Sequence, residues 1–183
     1  MSKVAIVGNP SGTGVFTIQS PNTSTDRTLT LPDETGTIIS STSNQIAGPA
    51  FHAYNNSGDT SISVNSFSKV TLDAESYDTN NCFDTSNYRF TPNVAGYYQF
   101  TSRVSVGGSS MSRALGTLAK NGTMFIYGND IPTNIYGTVC NGLIYLNGTT
   151  DYVELYIYIT ASSPIFGGGI GNTFLQGFLA RAA

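Results

Sequence analysis

From Phe51 to the end of the chain, apolar and polar residues alternate in short runs, broken by Gly, Pro, Asn and Asp. An alternation of period two places successive side chains on opposite faces of a strand. The clearest run is DYVELYIYIT, residues 151–160: Val153, Leu155, Ile157 and Ile159 take one face, and Tyr152, Glu154, Tyr156 and Tyr158 the other. In GYYQFTSRVSV, residues 96–106, Tyr98, Phe100, Val104 and Val106 face one way, with Tyr97, Gln99, Thr101, Arg103 and Ser105 opposite. The pattern predicts ten strands, near residues 51–54, 60–64, 67–73, 88–91, 96–106, 113–120, 123–127, 137–146, 151–160 and 172–180. No stretch carries a convincing helical period. The predicted class is therefore all-β, an antiparallel ten-strand sandwich or jelly roll, the architecture that suits many short strands joined by Gly and Pro turns.

A strand that is aliphatic on one side and aromatic on the other can bury the first side in its own core and offer the second to a neighbour, since Tyr combines area with a polar tip. Tyr152, Tyr156 and Tyr158, with Phe178 on the last strand, are accordingly expected at a subunit contact. The competing reading covers the same face with loops of the same chain.

Residues 1–44 follow a different rule. Four β-like phrases, KVAIV, GVFTIQS, RTLTLP and GTIIS, are separated by GNPSGTG, PNTSTD and DETG, each with residues suited to turning. Phe16, Ile18, Leu29 and Leu31, with Pro32 closing the third phrase, offer only a narrow apolar edge. Isolated hairpins are marginal in water. This arm is expected to pack on copies of itself or on another protein, with the small-residue stretch STSNQIAGPA, residues 41–50, as linker and a globular head over residues 45–183.

Composition narrows the function. Of 183 residues only 10% are charged, with 8 basic against 11 acidic, a net charge of −3 and no run of like charge, so no nucleic-acid footprint is expected. No apolar stretch approaches the roughly 20 residues of a membrane span, and MSKVAIVGNP is too short for a secretory signal core, so a soluble protein made in the cytoplasm is expected. Cys82 and Cys140 are too few for a disulfide framework and are expected as buried thiols. His52 is the only histidine, and no G-x-S-x-G elbow accompanies it, so catalysis is not expected. One His and two distant Cys do not make a zinc site. The glycine runs near residues 12–14 and 167–171 lack the Lys and following helix of a phosphate loop. No cofactor is expected; a calcium ion held by Asp78, Asn80 and Asp84, or by Asp59, is the secondary reading, without EF-hand spacing to support it.

Between Leu72 and Phe100 the spacing is more specific. Leu72, Asp78, Phe83, Phe90, Gly96, Tyr98 and Phe100, with YRFTPNVAGYYQFTSRV at the centre, resemble the signature of the globular head of complement component one, subcomponent q. LAKNG at 118–122, GTTDYVELYI at 148–157 and TFLQGFLA at 173–180 resemble later parts of that head in the same order. Leu72 and Ser102 depart from its aromatic preferences, Thr149 and Thr150 are inserted before Asp151, and no collagen-like Gly-X-Y period is present. The resemblance implies a tumour-necrosis-factor-like jelly roll, a homotrimer, first and last strands side by side, and Phe83, Phe90, Tyr98 and Phe100 as core aromatics, with Gly96 at a turn where positive φ favours glycine. Loops near 55–60, 77–87, 128–137 and 161–172 are expected to project from the end opposite the termini.

TLTLPDETGTIIS, residues 28–40, resembles a phrase found near the N-termini of bacteriophage fibres and other virion appendages. Together the two resemblances imply a non-enzymatic virion structural protein: a short fibre or capsid decoration, anchored to capsid or tail proteins by its arm, with a head that stabilises the capsid or touches a host surface glycan or protein. The alternatives are a tail-fibre receptor-binding protein and a free bacterial glycan- or protein-binding module.

Overall fold

A computed structural model describes residues 10–15, 17, 19, 22–26, 28, 48–132 and 136–183. The chain divides into two units, Met1–Thr37 and Ile38–Ala183. Phe16, Ile18, Leu29, Leu31 and Pro32, the arm residues singled out above, lie outside the described residues.

The described part of the second unit contains eleven strands and no helix. They are β1 (Ala50–Tyr54), β2 (Thr60–Ser61), β3 (Phe67–Lys69), β4 (Ala74–Asp78), β5 (Phe83–Asp84), β6 (Arg89–Phe90), β7 (Gly96–Lys120), β8 (Thr123–Ile131), β9 (Gly137–Leu146), β10 (Val153–Gly167) and β11 (Phe174–Ala182). All pairings are antiparallel. One sheet runs β4, β1, β11, the first half of β7, β9. The other places β2, β3 and β6 along one side of β10, then the second half of β7, then β8. Strand β7 belongs to both sheets. It changes direction at Gly107 and Gly108, where Gly108 has φ +141° and a Cβ would sit 2.8 Å from the Ala161 Cβ.

Eleven strands replace the expected ten for two local reasons. β4 (AESYD) and β5 (FD) have no alternating apolar side to announce them. Residues 96–106 and 113–120 are one continuous strand, because its pairing with β10 resumes beyond the bend.

The facing sides of the two sheets bury a single core. Val153, Leu155, Ile157 and Ile159 line it from β10, and Tyr98, Phe100, Val104 and Val106 from β7, the faces the alternation assigns. Phe51 stacks on Phe90 at 4.4 Å and on Phe83 at 5.3 Å, while Phe90 meets Tyr98 and Phe100 edge-on. The Tyr98 hydroxyl escapes isolation by donating to the Val94 carbonyl at 2.8 Å. Gly96 is buried here without positive φ: a Cβ would collide with the Arg181 carbonyl and lie 2.7 Å from Leu179 Cδ1, so close packing, not turn geometry, requires glycine.

β1 lies against β11, as the resemblance implies, and Pro49 accepts from the Leu179 amide while Ala183 donates to the Ala95 carbonyl. Residues 48–50 and the C-terminus therefore share one end. The loop after Tyr54, the 107–112 bend and residues 161–173 gather at the other, held by Asn55, whose amide donates to Thr173 and whose carbonyl accepts from Gly169. The 79–87 loop departs from expectation. Because β4 runs antiparallel to β1, this loop emerges beside Ala50, at the same end as the C-terminus.

Candidate interaction face

The outer side of the β4-β1-β11-β7-β9 sheet is built by strand register. Tyr54 lies opposite Phe174, Phe174 opposite Arg103, and Arg103 opposite Val139. The next row joins Tyr77, His52, Gln176, Thr101 and Asn141, and the third joins Ala50, Phe178, Gln99 and Leu143. A fourth pairs Tyr97 with Tyr145, their rings 5.4 Å apart. A soluble face of an antiparallel sheet is ordinarily polar. Here Tyr77, Tyr97, Val139, Leu143, Tyr145 and Phe178 are all exposed large apolar side chains. A shallow depression lies in the middle, lined by Tyr77, Gln99, Thr101, Gln176, Gly177 and Phe178. Beneath it Gly177 faces the core, where a Cβ would meet the Phe100 ring at 2.8 Å.

The face carries little charge. Arg103 is drawn aside by hydrogen bonds from Nη1 to the carbonyl and side-chain oxygens of Asn172. His52 is half-buried, shares a 3.0 Å hydrogen bond between Nδ1 and the Ser76 hydroxyl, and stacks on Phe174 at 5.3 Å. Loss of water holds its pKa below the ordinary imidazole range. On β4, burial and then the Asp78 charge push the Glu75 carboxyl upward.

The residues expected at a subunit contact are not brought together. Phe178 lies on this face, 53% exposed. Tyr152, Tyr156 and Tyr158 are half-buried and associated with β10, in the other sheet. Tyr156 donates weakly to Glu154, itself buried and paired with Lys69 at 2.6 Å. Tyr158 packs against Phe67 and lies under the Arg113 guanidinium, and Tyr152 lies under that of Arg89. Side chains of the same chain thus cover much of the tyrosine row. The strand alternation in 96–106 already held the signal for the face that is open, since Tyr97 faces outward there; strand order, which sets Tyr145, Leu143 and Phe178 beside it, is not visible in any one strand.

Phe83, Phe90, Gly96, Tyr98 and Phe100 are all buried, and the four rings converge on one cluster with Phe51. Two of the side chains considered for calcium, Asp78 and Asp84, accept hydrogen bonds within their own loops. Asp78 accepts from the amides of Asn80 and Phe83; Asp84 accepts from the Ser86 hydroxyl and the Asn87 side-chain amide, and also from their backbone amides, which holds its carboxyl well below the usual range. Among the described residues no cluster of three metal-ligating side chains occurs. Cys82 and Cys140 are buried free thiols, and burial raises the pKa of both.

No protein-family profile and no curated protein sequence matches the chain. Solved structures do match by shape. The Eiger tumour necrosis factor of S. frugiperda aligns with a TM-score of 0.58 at 10% identity, over 73% of this chain and 93% of its own. The globular domain of zebrafish complement 1qA aligns at 0.51 and 17% identity, over 74% and 98%. Murine APRIL aligns at 0.56 and 12%, over 72% and 98%. The head is a jelly roll of the tumour-necrosis-factor and complement kind. That statement concerns the fold; at such identities it assigns no ligand.

Proposed function

We propose that this chain is a non-enzymatic structural protein of a bacteriophage particle: a homotrimer whose head assembles through the outer side of the β4-β1-β11-β7-β9 sheet and whose N-terminal arm attaches it to capsid or tail proteins. The observation that carries the assembly is the set of exposed apolar side chains Tyr77, Phe178, Tyr97, Leu143, Tyr145 and Val139, spread over four register rows on the outer side of one sheet. Large apolar side chains exposed together on one sheet face mark an association surface. Support for three copies comes from the complement-like signature, and support for the particle from TLTLPDETGTIIS. As a short fibre or capsid decoration it would turn the loops at the end opposite residues 48–50 outward, to the capsid surround or a host surface.

Two measurements test the reading. Light scattering of the full chain is expected to give about 58 kDa, three times the 19.4 kDa chain, as closed cyclic symmetry requires. Mass spectrometry of purified particles of the virus that encodes the chain is expected to find it at a fixed stoichiometry. A monomer removes the assembly. A trimer absent from particles favours the free binding module instead.

A further inference from the structure

We infer that His52 makes association of the head sensitive to mild acid: the face associates while the imidazole is neutral and releases when it takes up a proton. The inference rests on the self-association proposed above and adds its regulation.

His52 sits on β1, between β4 and β11, inside the face and not at its rim. Phe174 stacks on it at 5.3 Å, and the rings of Tyr54 and Tyr77 lie at 6.1 and 6.2 Å. Among the described residues its side-chain hydrogen-bond partner is the Ser76 hydroxyl, which can donate to the neutral ring and accept from the protonated one. The charged and titratable groups on the elements packed around it are Glu75, Tyr77 and Asp78 on β4, Tyr54 on β1, and Arg181 on β11, with Arg103 one strand further, beside Phe174. None forms an ion pair with the ring among the described residues.

A second copy laid over this face removes the water that still reaches the ring. Desolvation disfavours the cation and leaves the neutral ring nearly untouched. The Phe174 face attracts an imidazolium in the free and in the associated protomer alike, so it does not bias the equilibrium. Association therefore lowers the imidazole pKa, and the associated state binds fewer protons. By linkage, association is strongest above the free protomer's pKa, which itself lies below the ordinary value of about 6.5, and weakens as the pH falls through it. Every copy brings the same residue, so the effect compounds around a closed ring. Since the chain contains no other histidine, any imidazole titration belongs to His52.

The test follows the mass of the full-length protein by light scattering across a dilution series at pH 8 and pH 5, at constant ionic strength, for the wild type, His52→Asn and His52→Gln. Both variants keep a neutral hydrogen-bonding group near Ser76. The wild type is expected to need about tenfold more protein, or greater, to stay associated at pH 5, since one pKa unit corresponds to a factor of ten. The variants are expected to hold one midpoint at both values. Equal wild-type midpoints at the two pH values, or variants that dissociate with the wild-type profile, overturn the inference; the second outcome would move the switch to Glu75. A wild-type monomer at pH 8 overturns the association itself, and the inference with it. Should the variants misfold, the ring-proton signals of the sole histidine decide the matter: its pKa is expected to be lower in concentrated than in dilute wild-type protein, and equal values refute the coupling.

Discussion

Replacing Phe178 with Ser tests the interaction face most directly. The side chain is 53% exposed. An aromatic side chain of this kind buries roughly 200 Å², of which on the order of 100 Å² remains open here. At about 25 cal/mol per Å², covering that area contributes about 2.5 kcal/mol for each copy. Each contact should then weaken by roughly 60-fold, and a closed ring of three copies loses the contribution three times over. The protomer's own stability should fall as well, by up to about 2.5 kcal/mol, because the other half of the ring's area is already covered by its own chain. Sedimentation over a dilution series reads the first quantity, and thermal melting at a concentration where both proteins are monomeric reads the second. Val64→Ser is the control, because Val64 is 49% exposed but lies between β2 and β3, outside this sheet. The reasoning fails if Phe178→Ser associates as the wild type does, or if Val64→Ser weakens association equally.

Other expectations concern the protomer. Gly148→Ala should destabilise by several kcal/mol in chemical denaturation, because Gly148 has φ +73° and a Cβ there collides with the Ala95 amide nitrogen. Lys69→Met should cost more than Glu154→Gln, about 3 kcal/mol, since it strands a carboxylate that is only 6% exposed, whereas the Lys69 side chain keeps 30% of its surface in water; equal losses would contradict that asymmetry. Both thiols should resist a thiol reagent in the native protein and react together on unfolding, as buried groups with raised pKa do.

The alternation in residues 96–106 and 151–160 was enough to assign the core side of two central strands, because a period of two is a local property. The motif aromatics were legible for a related reason: Phe83, Phe90, Tyr98 and Phe100 lie close along the chain and meet in one cluster. β4 and β5 were not legible, since polar segments become strands only when a neighbour supplies the pairing. The interaction face was half legible. Any single strand shows which of its sides is aromatic, yet whether that side stays open depends on what crosses it. Phe67, Arg89 and Arg113 cover the tyrosines of β10 from distant positions in the sequence, and nothing in the described residues does the same for Tyr97 and Phe178.

The place of β11 bears on how the protein is made. It is the last of the described strands and a central one in its sheet, between β1 and β7. Until its residues leave the ribosome, β1 and the first half of β7 each lack a hydrogen-bonding neighbour, and the Phe100 ring lacks the strand that Gly177 brings against it. Such non-local pairing is slow to form and cannot be completed by a partial chain. Folding of the head is thus expected to wait until β11 has left the ribosome, so that copies meet through completed heads. A C-terminal extension or truncation reaching into β11 should act on yield of folded protein before it acts on anything the folded protein does.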